Sequence, residues 1–527
     1  MKTVRTALAL MWALTVICLG GCNMAIRGVP TVPIRPTEIK GLNQSIAEQL
    51  MSIDYSPDCQ NIDTSEGIIS VRRGSTKLDF TPVADMTLRK MYRWEGENAS
   101  TRTIIAGFDD GGETPSTFAW YYLKGTSGTW VEIVTDPGGA SLTALNPFYT
   151  DATMARISDQ YYMLITGYVF DATVKIYWDG VDEKFYWDDL GGTPPAGYAI
   201  TTHRERVWQG NIGTTPNKIA YSKAFYPEDW TTAGETGEID IETFDGDDIM
   251  TIENVFDDVL IFKRNTIWRV LGDVPADYET ARIYSVKGTL AGDTVCHDGN
   301  LCFFMSDDGV YQYDGNTAFP VLTDAIKDYM AAAILTAPGE MACELINHKM
   351  FIFEQDTIGT ATYVGQSLVY DVITKKVEVI KMQDVTAICS SEVRRGEIEM
   401  YYSDGSYVYY FDKTKLLWGT LDIDAYWYTP EMDFGMPNAS KTLTEIYING
   451  YGTTSAGVAG GQLKVTIYYN ESGTEKTKTK TITLQTTSKT HTIPIGVTGR
   501  IFKFKFENVD GSAFHMLPTF IYEVDKD

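Results

Sequence analysis

Residues 301–315, LCFFMSDDGVYQYDG, decide the fold. The apolar run Leu301-Cys302-Phe303-Phe304-Met305-Ser306 is too short for a stable helix and is rich in residues that favour strands. Asp308-Gly309 follows, a pair that tolerates positive φ and suits a tight hairpin turn. Val310-Tyr311-Gln312-Tyr313 then starts a second strand, closed by Asp314-Gly315. Fifteen residues thus read as one β-hairpin.

The same grammar recurs on both sides of it. Val174-Lys175-Ile176-Tyr177-Trp178-Asp179-Gly180 and Lys184-Phe185-Tyr186-Trp187-Asp188-Asp189 form one such pair. Val259–Arg264 with Thr266–Val270, Lys349–Phe353 with Ser367–Asp371, and Ile398–Gly405 repeat it. Grouped in fours, these strands recur at roughly 40–50 residues, the length of a propeller blade. Residues 85–420 therefore predict a β-propeller of six or seven blades, with a helical excursion at Asp324–Ile334. Beyond residue 420 the strands lengthen and alternate more strictly. Phe502, Phe504 and Phe506 interleave with Lys503, Lys505 and Glu507, which gives one dry face. With Thr444–Asn449, Gln462–Tyr469 and Lys476–Leu484, residues 421–527 predict an antiparallel, jelly-roll-like β-sandwich. Before the propeller, residues 24–84 read as an arm with a short helical patch around 43–51 and the first strands. Arg72 and Arg73 in that arm are expected to pair with the acidic surface.

Composition agrees with an all-β chain: 32 Tyr, 22 Phe, 11 Trp and 46 Gly in 527 residues. The formal net charge of −26 argues against wrapping the outside of duplex DNA, which needs a Lys/Arg surface. It fits either a solvated acidic surface or a channel wall along which DNA slides without sticking.

Residues 1–23 resemble a secretory leader. Lys2 and Arg5 precede an apolar run, and Leu19-Gly20-Gly21-Cys22 matches a bacterial lipobox, which would make Cys22 a lipidation site. The competing reading starts the chain at Met24, with Pro30, Pro33 and Pro36 in an extended arm.

Catalytic signatures are missing: no phosphate-binding glycine loop, no HExxH and no nucleophile elbow. The five histidines, His203, His297, His348, His491 and His515, are scattered. Cys296, His297 and Cys302 lack a fourth ligand at zinc spacing, so no metal and no cofactor is expected. Most of the seven cysteines sit in apolar strand-like runs and read as buried free thiols. Ser306-Asp307-Asp308-Gly309 reads as a hairpin turn before it reads as a sialidase-type Asp box. Tyr121-Tyr122, Tyr161-Tyr162 and Tyr409-Tyr410 are candidates for a carbohydrate platform, while most other aromatics are expected to fill the space between blades.

One ordered series of motifs resembles a known family. It runs from His203-Arg204-Glu205-Arg206-Val207-Trp208 through Asn217–Ser222 and Pro227-Glu228-Asp229-Trp230. It continues with Asp247–Ile252, Leu260–Lys263, Thr266–Asp273 and Gly309–Gly315. That series is similar to the β-propeller tail hub or nozzle proteins of tailed bacteriophages, also called packaged-DNA stabilisation proteins. The likeness spans most of residues 30–525; the leader at 1–23 departs from it. It implies a non-enzymatic virion protein forming a homo-oligomeric ring, commonly a hexamer, beside other tail and neck proteins. Genomic DNA would pass through the lumen without sequence-specific binding, and contact with the host surface is compatible with that position. Two other readings stand beside it: a tail-borne carbohydrate binder or depolymerase, and a propeller lipid-anchored in the bacterial envelope through Cys22.

Overall fold

The computed structural model describes residues 32–524 apart from 96–102, 112–116, 125–126, 137–138, 168–172, 242–245, 286, 299–300, 337–340, 355–365, 383–384, 395–396, 459 and 472. The chain is an all-β propeller followed by an antiparallel β-sandwich. Seven antiparallel meanders succeed one another. Blade I runs from Thr87–Arg93 to Val131–Glu132, blade II from Thr150–Ile157 to Lys184–Asp189, and blade III from Gly197–His203 to Gly237–Asp240. Blade IV runs from Ile249–Val255 to Glu279–Arg282, and blade V from Val295–Asp298 to Ala318–Leu322. Blade VI begins at Met341–Ile346 and ends at Val377–Lys381; blade VII begins at Ala387–Arg394.

First strands pack side by side from blade II to IV and from V to VII, and the turns Pro147–Tyr149 and Gly292–Thr294 bridge I to II and IV to V. The first strand of blade VII returns to Thr87–Arg93 of blade I, which closes the ring. Between blades the aromatic side chains do the filling. Trp120 and Trp208 are wholly buried, and Phe262 of blade IV meets Phe304 of blade V at 5.5 Å between ring centroids. The expected hairpin at 301–315 is present, with Ser306 paired to Gly309. Gly309 has φ +145°, and a Cβ there would lie 2.2 Å from the Leu322 carbonyl oxygen, so this corner accepts only glycine. The helical excursion is a 3-10 turn, Asp324–Ile326, leading into an α-helix at Lys327–Thr336 between blades V and VI.

The sandwich has two sheets. In one, Lys441–Thr453 lies between Lys489–Gly499 and Ala513–Val524. In the other, the order is Cys59–Gln60, Tyr426–Tyr428, Phe502–Val509, Gln462–Glu471 and Thr474–Thr483. Phe502, Phe504 and Phe506 are fully buried between them, as their alternation requires.

The first strands expected in the entry segment are present, and they pair with elements far along the chain. Gly41–Leu42 and Tyr55–Ser56 extend the sheet of blade VI, Cys59–Gln60 joins one sandwich sheet, and Ile62–Asp63 with Ile69–Val71 joins the other. Ser75–Lys77 supplies the fourth strand of blade VII, pairing with Val408–Phe411. Asp79–Thr81 then pairs with Ser127–Thr129, beside blade I. Blade VI, the sandwich and the entry segment share one continuous apolar core.

Two local expectations are corrected. The helical patch at 43–51 is only a 3-10 turn, Glu48–Leu50, whose residues are all at least partly exposed and so gain little from a longer helix. Arg72 does not reach the acidic surface: its side chain is buried and pairs with Glu378 of blade VI.

Candidate functional site: a charged cavity on the propeller axis

Because each blade begins at the centre of the disc, the first strands bring side chains from all seven blades to one cavity of about 260 Å³. A strand in this position has one edge toward the axis, so a charged side chain can face the cavity while its neighbours stay in the inter-blade core. Lys90 comes from blade I, Asp151 from blade II, Tyr198 from blade III and Glu253 from blade IV. Asp293 comes from the 3-10 turn Gly292–Thr294 before blade V, Glu344 from blade VI and Ser390 from blade VII.

Ion pairs tie the blades across this space. Lys90 Nζ lies 2.6 Å from Asp293 Oδ2, joining blades I and V. His297 Nε2 lies 3.5 Å from Glu253 Oε2, joining blades V and IV. Tyr92 Oη and Thr150 Oγ1 are 2.9 Å apart. The carboxylate of Asp151 accepts hydrogen bonds from the Ala152 and Ile200 amides at 2.8 and 2.9 Å.

Carboxylates outnumber cations here, and the cavity desolvates them. Asp151 is pushed up to about 8 by desolvation, then by the Glu253 charge, against the pull of the Ile200 amide and Lys90. Burial likewise raises Glu344, although Ser390, His297 and Arg93 oppose it. Burial pulls the imidazole of His297 down, but its hydrogen bond to Glu253 and the charges of Glu253 and Glu344 outweigh that and raise it. Burial and neighbouring negative charge therefore favour the protonated forms of Asp151, Glu344 and His297. Its volume lies below that of ordinary ligand pockets, about 300 Å³ and upward. It is also too small to thread a nucleic-acid duplex.

None of these carboxylates stands out in the sequence, since each is a single acidic letter in or beside a strand. The available signal was positional: a charged or polar residue near the middle of the first strand of successive blades.

The residues singled out from sequence do not converge. Cys22 lies outside the described residues. Cys302 pairs with His297 across the hairpin of blade V, whereas Cys296 pairs with Phe303. The two thiols thus point to opposite faces, into separate apolar clusters. Among the described residues no three His, Cys, Asp or Glu side chains are grouped to hold a metal ion. His203 Nδ1 lies 3.1 Å from Asn254 Oδ1, and His515 Nδ1 lies 2.9 Å from Ser70 Oγ. Asp307 and Asp308 sit in the hairpin turn, where Asp307 pairs with Lys287 and Asp308 accepts from Tyr311 Oη at 3.2 Å. Of the three tyrosine pairs, Tyr122 and Tyr409 are buried and Tyr161 is exposed. No helix among the described residues is long and apolar enough to cross a membrane.

No family model matches this chain, and no curated protein is similar to it. Among solved structures, the AfRom2 CNH domain is similar over 64% of this chain and 99% of its own length, at 10% identity and a TM-score of 0.37.

Proposed function

We propose that this chain is a non-catalytic structural subunit of a phage tail, a hub or nozzle protein that assembles into a closed homo-oligomeric ring. The observation that carries the reading is the entry segment. Within residues 41–81 it adds strands to blade VI, to both sandwich sheets and to blade VII, and pairs beside blade I. The sandwich and the entry segment thereby share one apolar core with blade VI and parts of blades V and VII, as a load-transmitting subunit requires. Inter-domain interfaces in a chain are otherwise small and mobile by default.

The axial cavity bears on where a genome would pass. A cavity of about 260 Å³ crossed by ion pairs is too small for a duplex, which favours a lumen between subunits over one through the propeller. A net charge of −26 suits a lumen wall that repels phosphates and lets DNA slide. The family resemblance in residues 203–315 supplies the word phage and the expected sixfold ring.

Electron microscopy of purified virions and of the isolated protein tests this reading. A ring of this subunit at the tail, with an acidic lumen, is expected. Monomers with no place in the particle would overturn it, as would a mature chain that begins at a diacylated Cys22.

A further inference from the structure

The outward face of the second sandwich sheet carries a larger cleft than the propeller axis does. Alternation that buries Phe502, Phe504 and Phe506 turns Lys503, Lys505 and Glu507 outward. Their cross-strand partners face the same way: Tyr468 opposite Lys503, Tyr428 opposite Lys505, and Tyr426 opposite Glu507. Three tyrosines thus form a row, with ring centroids 5.7 Å apart for Tyr426 and Tyr428 and 6.2 Å for Tyr428 and Tyr468.

Polar groups surround that row. Glu48 and Asp58 come from the entry segment, Glu431 from the loop after Tyr428, and Asn470 and Glu475 from facing strands. Together with Lys503 they enclose a cavity of about 500 Å³. That falls within the range of small-molecule sites, about 300–1,000 Å³.

The ligand class follows from what the cleft already contains. Four carboxylates against one lysine repel phosphates, sulfates and uronic acids. Cation positions over the rings are filled by the chain itself. Lys503 Nζ lies 5.1 Å from the Tyr428 ring centre and 2.6 Å from Glu48 Oε2, and Lys505 Nζ lies 4.9 Å from the Tyr426 ring centre. A neutral polyhydroxylated ligand fits what is left. Rigid tyrosine rings offer an apolar face with a polar edge, while carboxylates accept from hydroxyls and Asn470 and Lys503 donate to them. Tyr469, next in the chain, points inward to the core and plays no part in the row.

We propose that this cleft binds a neutral oligosaccharide, with Tyr468, whose ring carries no lysine among the described residues, stacking on a sugar ring and Glu475 and Asn470 hydrogen-bonding hydroxyls. The inference is independent of the ring: a monomer could bind sugar, and a ring could fail to.

Saturation-transfer NMR on the full chain tests it, using maltohexaose, cellohexaose, xylohexaose, mannohexaose and chitohexaose as probes, with spermidine as a cationic control. Transfer to at least one sugar is expected. Tyr468→Ala and the exposed Glu475→Gln should each weaken binding tenfold or more, whereas Tyr161→Ala on the propeller leaves it unchanged. Absence of transfer to all five sugars, binding of spermidine alone, or full binding by Glu475→Gln would overturn the proposal. Glu475→Gln keeps the test decisive if Tyr468→Ala does not fold.

Discussion

Arg72 of the entry segment and Glu378 of blade VI form an ion pair in which both side chains are nearly sealed from solvent, at 9% and 6% exposure. Glu378 also accepts hydrogen bonds from the Thr64 amide and hydroxyl, at 2.7 and 3.0 Å. The pair therefore fastens the arm to the propeller at a point where water cannot replace either partner.

Removing one member leaves the other charged and buried. Glu378→Gln is expected to destabilise the protein by roughly 3–5 kcal/mol, and Arg72→Met/Glu378→Leu to recover most of that loss. Urea denaturation followed by tryptophan fluorescence gives the comparison. A single-variant loss below about 1 kcal/mol would mean that solvent reaches the pair.

Asp151 makes stability fall as the pH rises. Its unfolded carboxyl releases its proton near pH 4 and its folded one at about 8, owing to desolvation and the Glu253 charge. Between those values the folded chain binds the extra proton, so stability declines through the window and is level above it. Asp151→Asn should flatten this part of the melting-temperature profile between pH 4 and 9. A variant profile parallel to the wild type would refute the assignment.

His297 works in the same direction for a different reason. Its raised imidazole contributes stability that is complete below its unfolded value of about 6.5 and is lost as pH rises through the folded value. An NMR titration of the imidazole nitrogens should place it above an ordinary histidine. Glu253→Gln should lower it; an unchanged midpoint would show that the 3.5 Å contact is not formed in solution.

The cysteines Cys59, Cys296, Cys302, Cys343 and Cys389 are buried and unbridged, and desolvation raises all five thiols. Thiolate is the reactive form, so these five should resist iodoacetamide in the native state and react on unfolding in urea. Peptide mass mapping distinguishes the two states. Rapid native labelling at any of them would contradict the packing.

Much of the architecture can be read from local chemistry. The Asp-Gly turn at 308–309 and the alternation at 502–507 each specify an element, because turn geometry and a two-residue period act over neighbours. Gly41 shows where that stops. Its φ of +93° and the 2.2 Å approach of its missing Cβ to the Val377 carbonyl oxygen record a pairing with a strand far along the chain. No pattern around Gly41 names Val377, just as none around Arg72 names Glu378. The axial carboxylates were hidden in the same way, since Asp151, Glu253 and Glu344 become a site only when seven first strands meet. The tyrosine row of the sandwich was half visible: the outward lysines follow from alternation, but their partners follow from strand order.

The stitched entry segment also imposes an order of events on biosynthesis. Ser75 meets Tyr402, and Ser56 meets the Tyr428 carbonyl, across 327 and 372 residues. At about 5–20 residues per second, the first strands wait tens of seconds for partners that the ribosome has not yet made. Until then Ser75–Lys77 has no blade VII to join, the ring is open, and unpaired edges are bare to other nascent chains. Ring closure waits for Val408–Phe411, so a copy terminated before blade VII cannot present a finished disc.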